Sequence, residues 1–166
     1  MNEQRRFALG CFRATARPAG DQMLFRLPAA QRRLATTTGS FTRALHRHTG
    51  HPVVVRRLDE GWRGHVAGRW PVPRVTRVWV RRVRLESADA RVDALTEVVG
   101  PLSPRLRRAI TGLADTPLME VLARQPRCRR LSFRVSSQGN RVSRETVYRI
   151  HLARVRVTEW FDIGQC

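Results

Sequence analysis

The sequence contains no lysine: all 32 of its basic residues are arginine, and its formal net charge is +19. A charge of this size is typical of proteins that neutralise phosphates on nucleic acids or acidic lipids. The absence of lysine points instead to a coding bias, and the arginines are spread along the whole chain. No helix-turn-helix, zinc-finger or RNA-recognition pattern is present. We therefore expect no nucleic-acid partner, and a basic protein that binds DNA or RNA in a salt-dependent manner stays the third alternative.

Long apolar runs are also missing. None approaches the ~20 residues of a membrane-spanning helix, and the stretch FALGCF near the N-terminus is too short for the core of a signal peptide. We expect a cytoplasmic protein without a membrane partner.

Cysteine is scarce, since the chain has three, Cys11, Cys128 and Cys166, far apart and outside any metal-ligand spacing. They are predicted to be free thiols, which excludes a disulfide framework and a zinc site. The sequence has no P-loop, no dinucleotide fingerprint and no HExxH motif. We accordingly expect neither a metal nor a cofactor.

What is present is enough for one compact core, because 42% of the 166 residues are hydrophobic. Residues 1–20 are polar and basic and contain Pro18 and Gly20, so they are predicted to form an N-terminal arm. Residues 21–166 are predicted to form a single domain, and we expect a monomer.

The order of the predicted elements indicates the fold class. Six segments have the alternation or composition of strands: 53–58, 74–86, 94–99, 130–136, 146–151 and 153–163. Four segments have helical spacing or caps: 23–34, 41–48 after Ser40, 101–113, and 117–124 after Thr116. Residues 61–73, rich in glycine and proline, are predicted to be a loop. Since strands and helices segregate, we predict an α+β fold with helices packed on a mainly antiparallel sheet.

Strand alternation places two charges among apolar residues. Arg81 shares a predicted strand face with Trp79, Val83 and Leu85, and Glu159 is the only charge on the apolar face of 153–163. An isolated buried charge is costly unless a partner satisfies it. Either the two pair as a structural salt bridge, or a bulge turns one of them to solvent, or a ligand lies between them. A small aromatic acid would offer its carboxylate to the arginine and a hydroxyl to the glutamate.

Five segments then occur in a characteristic order: SFTRAL, RVWVRRVRL, EVVGPLSPRL, TPLMEVL and VRVTEWF. On these segments, from about Ser40 to Glu159, the sequence resembles the chorismate-pyruvate lyases. The resemblance implies a chorismate lyase-like fold with an internal ligand pocket. It also implies cofactor-independent elimination of pyruvate from the substrate chorismate, which gives the product 4-hydroxybenzoate, a quinone precursor.

The resemblance further implies the site residues. Arg81 would hold the ring carboxylate and Glu159 would meet the 4-hydroxyl, so both would be catalytic as well as substrate-binding. Leu118 would give a backbone contact to the carboxylate end, and Phe41 would line the pocket. Without the resemblance, Phe41 and Leu118 are typical core residues.

The sequence departs from that family at several positions. Thr96 stands where the family commonly has an arginine on a flap, and Met119 stands where a glycine follows TPL; FDI replaces the usual FLP after the glutamate. Arg82 and Arg84 are predicted on the opposite face of their strand, where they could replace the flap arginine only through a bulge. A non-catalytic domain of the same fold, binding a small carboxylate as effector-binding domains do, is therefore the alternative function.

Overall fold

The computed structural model describes residues 27–67, 74–88 and 90–162, so the predicted arm lies outside the described residues. The described chain forms one domain with an antiparallel sheet and helices packed on it, which confirms the predicted α+β class. The helices are α1 (Ala29–Thr36), α2 (Phe41–Thr49), α3 (Pro104–Thr111) and α4 (Leu118–Ala123). The strands are β1 (Val54–Ala67), β2 (Arg74–Ser87), β3 (Ala90–Val99), β4 (Cys128–Gln138), β5 (Arg141–Ile150) and β6 (Ala153–Asp162).

The sheet has the strand order β1-β2-β3-β6-β5-β4, and each neighbouring pair is antiparallel. Two three-stranded meanders therefore meet where β3 pairs with β6. The helices α3 and α4 lie between the two meanders in the chain. Among the described helices, none has the length and hydropathy to span a membrane.

One face of the sheet, called the covered face below, packs against the helices through two apolar clusters. The first cluster lies under α1 and α2: Leu27, Leu34, Ala35, Phe41, Ala44, Leu45, Val55, Leu85, Ala90, Val92, Val142 and Phe161. The second lies under α3 and α4: Trp79, Val98, Leu106, Ile110, Leu113, Leu122, Tyr148, Ile150 and Val155. Full burial of a large apolar side chain contributes about 1.5–3 kcal/mol. The two clusters thus hold the two helix pairs at opposite ends of one sheet face.

The first residue before α2 is the predicted cap Ser40, and a glycine ends the helix. The Ser40 hydroxyl accepts a hydrogen bond from the backbone N–H of Arg43 at 3.4 Å. Gly50 ends the helix in the left-handed region at φ 72° and donates its N–H to His46 at 2.9 Å. This helix places Phe41 on the covered face.

Several predicted boundaries differ from the structure, and two of these differences bear on the charged residues of the sheet. Residues 61–67, predicted as loop, continue β1 because their backbone pairs with β2 along its whole length, and Trp62 lies opposite Trp79. Pairing across the sheet outweighs the low strand propensity of glycine there. The cap of α4 is Pro117 and not Thr116, whose carbonyl instead accepts a hydrogen bond from Arg81.

We predict that Gly100→Ala destabilises the protein by about 1–3 kcal/mol. Gly100 has φ +104°, and a Cβ there would lie 3.0 Å from the carbonyl oxygen of Leu152 and 3.2 Å from Cα of Ala153. Because both atoms are backbone, neither can move aside cheaply. Urea unfolding gives the free energy of each variant.

Gly39→Ala is the matched control, since a Cβ at this position meets no atom within 4 Å. It should change the free energy of unfolding by less than about 1 kcal/mol. Equal effects of the two substitutions would show that the turn at Leu152 does not constrain Gly100.

Candidate functional site

A band of polar side chains crosses the covered face between the two apolar clusters. Its members lie on five neighbouring strands that span the junction of the two meanders: Glu60, Arg81, Thr96, Arg144, Thr146 and Glu159. Arg81 is 2% exposed and Glu159 is 8% exposed. The prediction that both charges lie among core residues is therefore confirmed.

Arg81 forms one end of this polar band. Its Nη1 donates to the carbonyl of Thr116 at 3.1 Å, and its Nη2 donates to the carbonyl of Ala114. Its Nε lies 3.6 Å from Oε2 of Glu60, and neither atom has a hydrogen bond within the described residues. Burial lowers the pKa of Arg81, and Glu60 partly offsets that effect. The arginine thus ties the segment before Leu118 to the sheet.

Glu159 forms the other end together with Arg144. Oε2 of Glu159 lies 2.9 Å from Nε of Arg144. Arg144 also donates to the carbonyls of Leu34 at 3.3 Å and Thr37 at 3.0 Å. Burial raises the pKa of Glu159 to about 7, although the charge of Arg144 opposes the rise. Desolvation therefore outweighs the ion pair, and the carboxyl group titrates near neutral pH.

Aromatic rings surround the guanidinium of Arg144. It lies 4.5 Å from the ring centroid of Phe41 and 5.3 Å from that of Phe133. Phe41 in turn stacks on Phe161 with a centroid separation of 5.8 Å. The structure thus places Phe41 beside the ion pair of Glu159, and not beside Arg81.

The hypothesis that Arg81 and Glu159 pair with each other is wrong. Each has its own partner, and the bulges of the described sheet lie elsewhere, in β1 and β4. Strand spacing and rise put the two Cα atoms about 12 Å apart on the same face. Ala94 and Thr96 of β3 lie between them and have small side chains.

Sequence reasoning missed Glu60 and Arg144. Glu60 lies beyond the predicted end of the first strand, and Arg144 precedes the predicted start of 146–151. Arg144 can be recognised from strand alternation, because it shares one buried strand face with Val142, Thr146 and Tyr148. An earlier strand start would have shown another charge on an apolar face.

The remaining predicted residues lie as follows. Leu118 is the first residue of α4, and its side chain packs against the second apolar cluster. Thr96 is buried in β3 directly opposite Arg81, so it lies in the sheet and not on a flap. Arg82 is exposed, and Arg84 pairs with Asp93 at 2.9 Å. Both lie on the face opposite the polar band, as predicted.

The predicted internal pocket stays a prediction. Two open surface cavities of about 570 Å³ are lined by other residues. One lies between α1 and α2, and the other lies at the edge of the sheet beside β4.

In the described part of the chain, no cluster of three or more His, Cys, Asp or Glu residues is arranged to hold a metal. The thiol of Cys128 is free, and Cys11 and Cys166 lie outside the described residues.

Comparison with known proteins finds no family model and no curated protein that matches this chain. The resemblance to the chorismate-pyruvate lyases stays a prediction from five sequence segments. The geometry of the polar band is the independent observation that bears on function.

We predict that Glu159 makes the protein less stable as the pH rises. The folded-state pKa of about 7 lies above the ordinary value of 4.5, so the folded state binds this proton more tightly than the unfolded state. The contribution is complete below about pH 4.5 and is lost as the pH rises through 7. It amounts to about 3 kcal/mol.

Urea unfolding of the wild type and of Glu159→Gln between about pH 5 and pH 8 measures this contribution. The difference in free energy of unfolding, wild type minus variant, should fall across that range. Asp162→Asn, an exposed acid on the same strand, is the control and should leave the difference flat. A difference that grows with pH would mean that Arg144 holds the pKa of Glu159 below its ordinary value.

Proposed function

We propose that the polar band binds a small aromatic carboxylate and that the protein is a chorismate lyase, which eliminates pyruvate from chorismate to give 4-hydroxybenzoate. One observation carries the proposal. The Cα atoms of a buried arginine and of a buried glutamate with a pKa near 7 lie about 12 Å apart on one sheet face, with only small side chains of β3 directly between them. A ring with a carboxylate and a para oxygen has an acceptor for the arginine at one end and a hydroxyl for the glutamate at the other.

The Arg81 end suits the ring carboxylate. Its two Nη atoms hold backbone carbonyls, which fixes the guanidinium, while its Nε proton has no hydrogen-bond acceptor within the described residues. The ligand carboxylate takes the place of Glu60 beside this proton. The backbone N–H of Leu118 begins a helix and so has no acceptor within that helix. Because Arg81 holds the carbonyl of Thr116, this N–H lies close to the same end.

The Glu159 end suits the chemistry. The ring carbon that carries the hydroxyl loses its proton, and the neighbouring ether bond to the enolpyruvyl group breaks. Pyruvate leaves as its enolate and takes up the proton that the ring has lost, so atoms and charge balance. A carboxyl group with a pKa of about 7 is present in both protonation states near neutral pH, which suits it to hold the hydroxyl and relay that proton. Aromatisation drives the reaction.

Arg144 supplies a second buried cation at this end. Chorismate has a second carboxylate on its enolpyruvyl group, and the family's flap arginine is replaced here by Thr96. We infer that Arg144 takes over the contact to this second carboxylate. Its stacking on Phe41 keeps the guanidinium in place while the partner changes.

The alternative is a domain that binds a small carboxylate without turning it over. The occupied donors favour it, because Arg81 and Arg144 already hold backbone carbonyls from neighbouring segments. Such arginines make a rigid binding site but leave little freedom for a flap to close over the substrate.

The test is to mix the purified protein with chorismate and to measure 4-hydroxybenzoate by ultraviolet absorbance and pyruvate by a coupled assay. We expect equal amounts of both products. Arg81→Ala and Glu159→Ala should lower the rate by about a hundredfold or more. Arg77→Ala, an exposed arginine on the same strand, is the control and should keep the wild-type rate.

Circular dichroism and thermal unfolding check that each variant folds. Intact chorismate, together with a melting temperature that 4-hydroxybenzoate raises in the wild type but not in Arg81→Ala, would support the non-catalytic alternative. No turnover and no shift would reject both functions.

A further inference from the structure

Three arginines face one another on the side of the sheet opposite the polar band. Arg129 of β4 pairs with Arg149 of β5, which pairs with Arg154 of β6. All three are exposed. Like charges directly opposite one another on neighbouring strands are destabilising. Within the described chain, none of the three forms an ion pair with a carboxylate.

Other arginines on the same face do have acidic partners. Those at the far side of the sheet pair at short range: Arg56 with Glu86 at 2.5 Å, Arg63 with Asp59 at 2.8 Å and Arg84 with Asp93 at 2.9 Å. In the row next to the three arginines, Arg156 lies 3.4 Å from Glu97 and 3.5 Å from Glu145. Arg91 on this face is also exposed and forms no ion pair within the described residues, but it has Glu86 directly opposite. The row of Arg129, Arg149 and Arg154 differs because its arginines lie directly opposite one another. A general excess of arginine does not explain this local pattern.

A cavity of about 570 Å³ opens beside this row, at the β4 edge of the sheet. Its polar wall includes Arg127, Arg129, Arg149 and His151, and its apolar wall includes Leu152. Pro126 and Cys128 complete the lining. The volume lies in the range of small-molecule sites.

The turn between β5 and β6 shapes the apolar wall. His151 has φ 52°, a left-handed conformation that a residue with a Cβ rarely adopts. The next residue, Leu152, is 80% exposed. A leucine this exposed beside several cations offers an apolar contact to whatever the arginines bind.

We propose that this cavity binds a small organic phosphate ester, with its phosphate on Arg127, Arg129 and Arg149 and its organic part against Leu152. The planar fork of arginine matches phosphate oxygens in two-point contacts. The row of facing arginines is only three strands wide, whereas a nucleic acid needs an extended basic track. The site is distinct from the polar band, since Arg129 and Arg149 lie on the other face of the sheet.

Isothermal titration calorimetry with phenyl phosphate and with inorganic phosphate tests the proposal. The wild type should bind phenyl phosphate more tightly than inorganic phosphate, because the ester also contacts the apolar wall. The double variant Arg129→Gln/Arg149→Gln should bind phenyl phosphate about tenfold more weakly or worse.

The matched control is Arg56→Gln/Arg63→Gln, which removes the same charge from exposed arginines on the same face. It should bind phenyl phosphate like the wild type. Equal weakening in both double variants would show that the overall positive field attracts the anion, and would overturn the proposal. Absence of phenyl phosphate binding to the wild type would overturn it as well.

Two further probes separate the sources of phosphate: a single-stranded oligonucleotide and vesicles with anionic lipids, both at physiological salt. The proposal expects Arg129→Gln/Arg149→Gln to weaken binding of either probe no more than the control double variant does. A selective loss of oligonucleotide or vesicle binding in Arg129→Gln/Arg149→Gln would assign the row to a nucleic acid or a membrane surface and would reject the small ligand.

Discussion

Burial of two arginine and glutamate pairs in the middle of the covered face constrains the rest of the fold. A buried charge is tolerated only when partners satisfy it, and removing one partner is strongly destabilising. Arg81 therefore holds the carbonyls of Ala114 and Thr116, and Arg144 holds those of Leu34 and Thr37. These contacts tie each helix pair to the sheet at a defined place, while the apolar clusters fill the space on either side. The polar band thus sets where the helices lie, and the clusters supply most of the stabilisation.

The features that depend on local order could be predicted from the sequence. Strand alternation has a period of two, so it placed Arg81 and Glu159 on buried faces without knowledge of any neighbour. The caps of α2 are equally local. The partners of the two charges could not be predicted, because they depend on pairing between strands. Glu60 reaches Arg81 only because β1 continues through glycines that favour a loop, and Arg144 reaches Glu159 only because β5 begins five residues before the predicted strand.

The polar band crosses the junction of the two meanders. Arg81 and Thr96 belong to the first meander, and Glu159 and Arg144 belong to the second. A ligand held at both ends would bind only when β3 and β6 are paired. Such a ligand would stabilise the assembled sheet by mass action, because neither meander alone offers both ends. The site therefore forms only in the complete fold, because each meander contributes the residues of only one end.

The net charge of +19 and the positions of the individual arginines have different consequences for binding. A uniform positive field attracts any anion, and at physiological ionic strength it is screened over about 8 Å. Selective recognition must then come from contacts within that distance. On the face opposite the polar band, Arg56, Arg63 and Arg84 each pair with a neighbouring carboxylate. In contrast, Arg129, Arg149 and Arg154 lie side by side and form no ion pair with a carboxylate among the described residues. A coding bias raises the number of arginines but does not choose which of them lie opposite one another without a carboxylate. This arrangement, and not the net charge, is the basis for the proposed anion site.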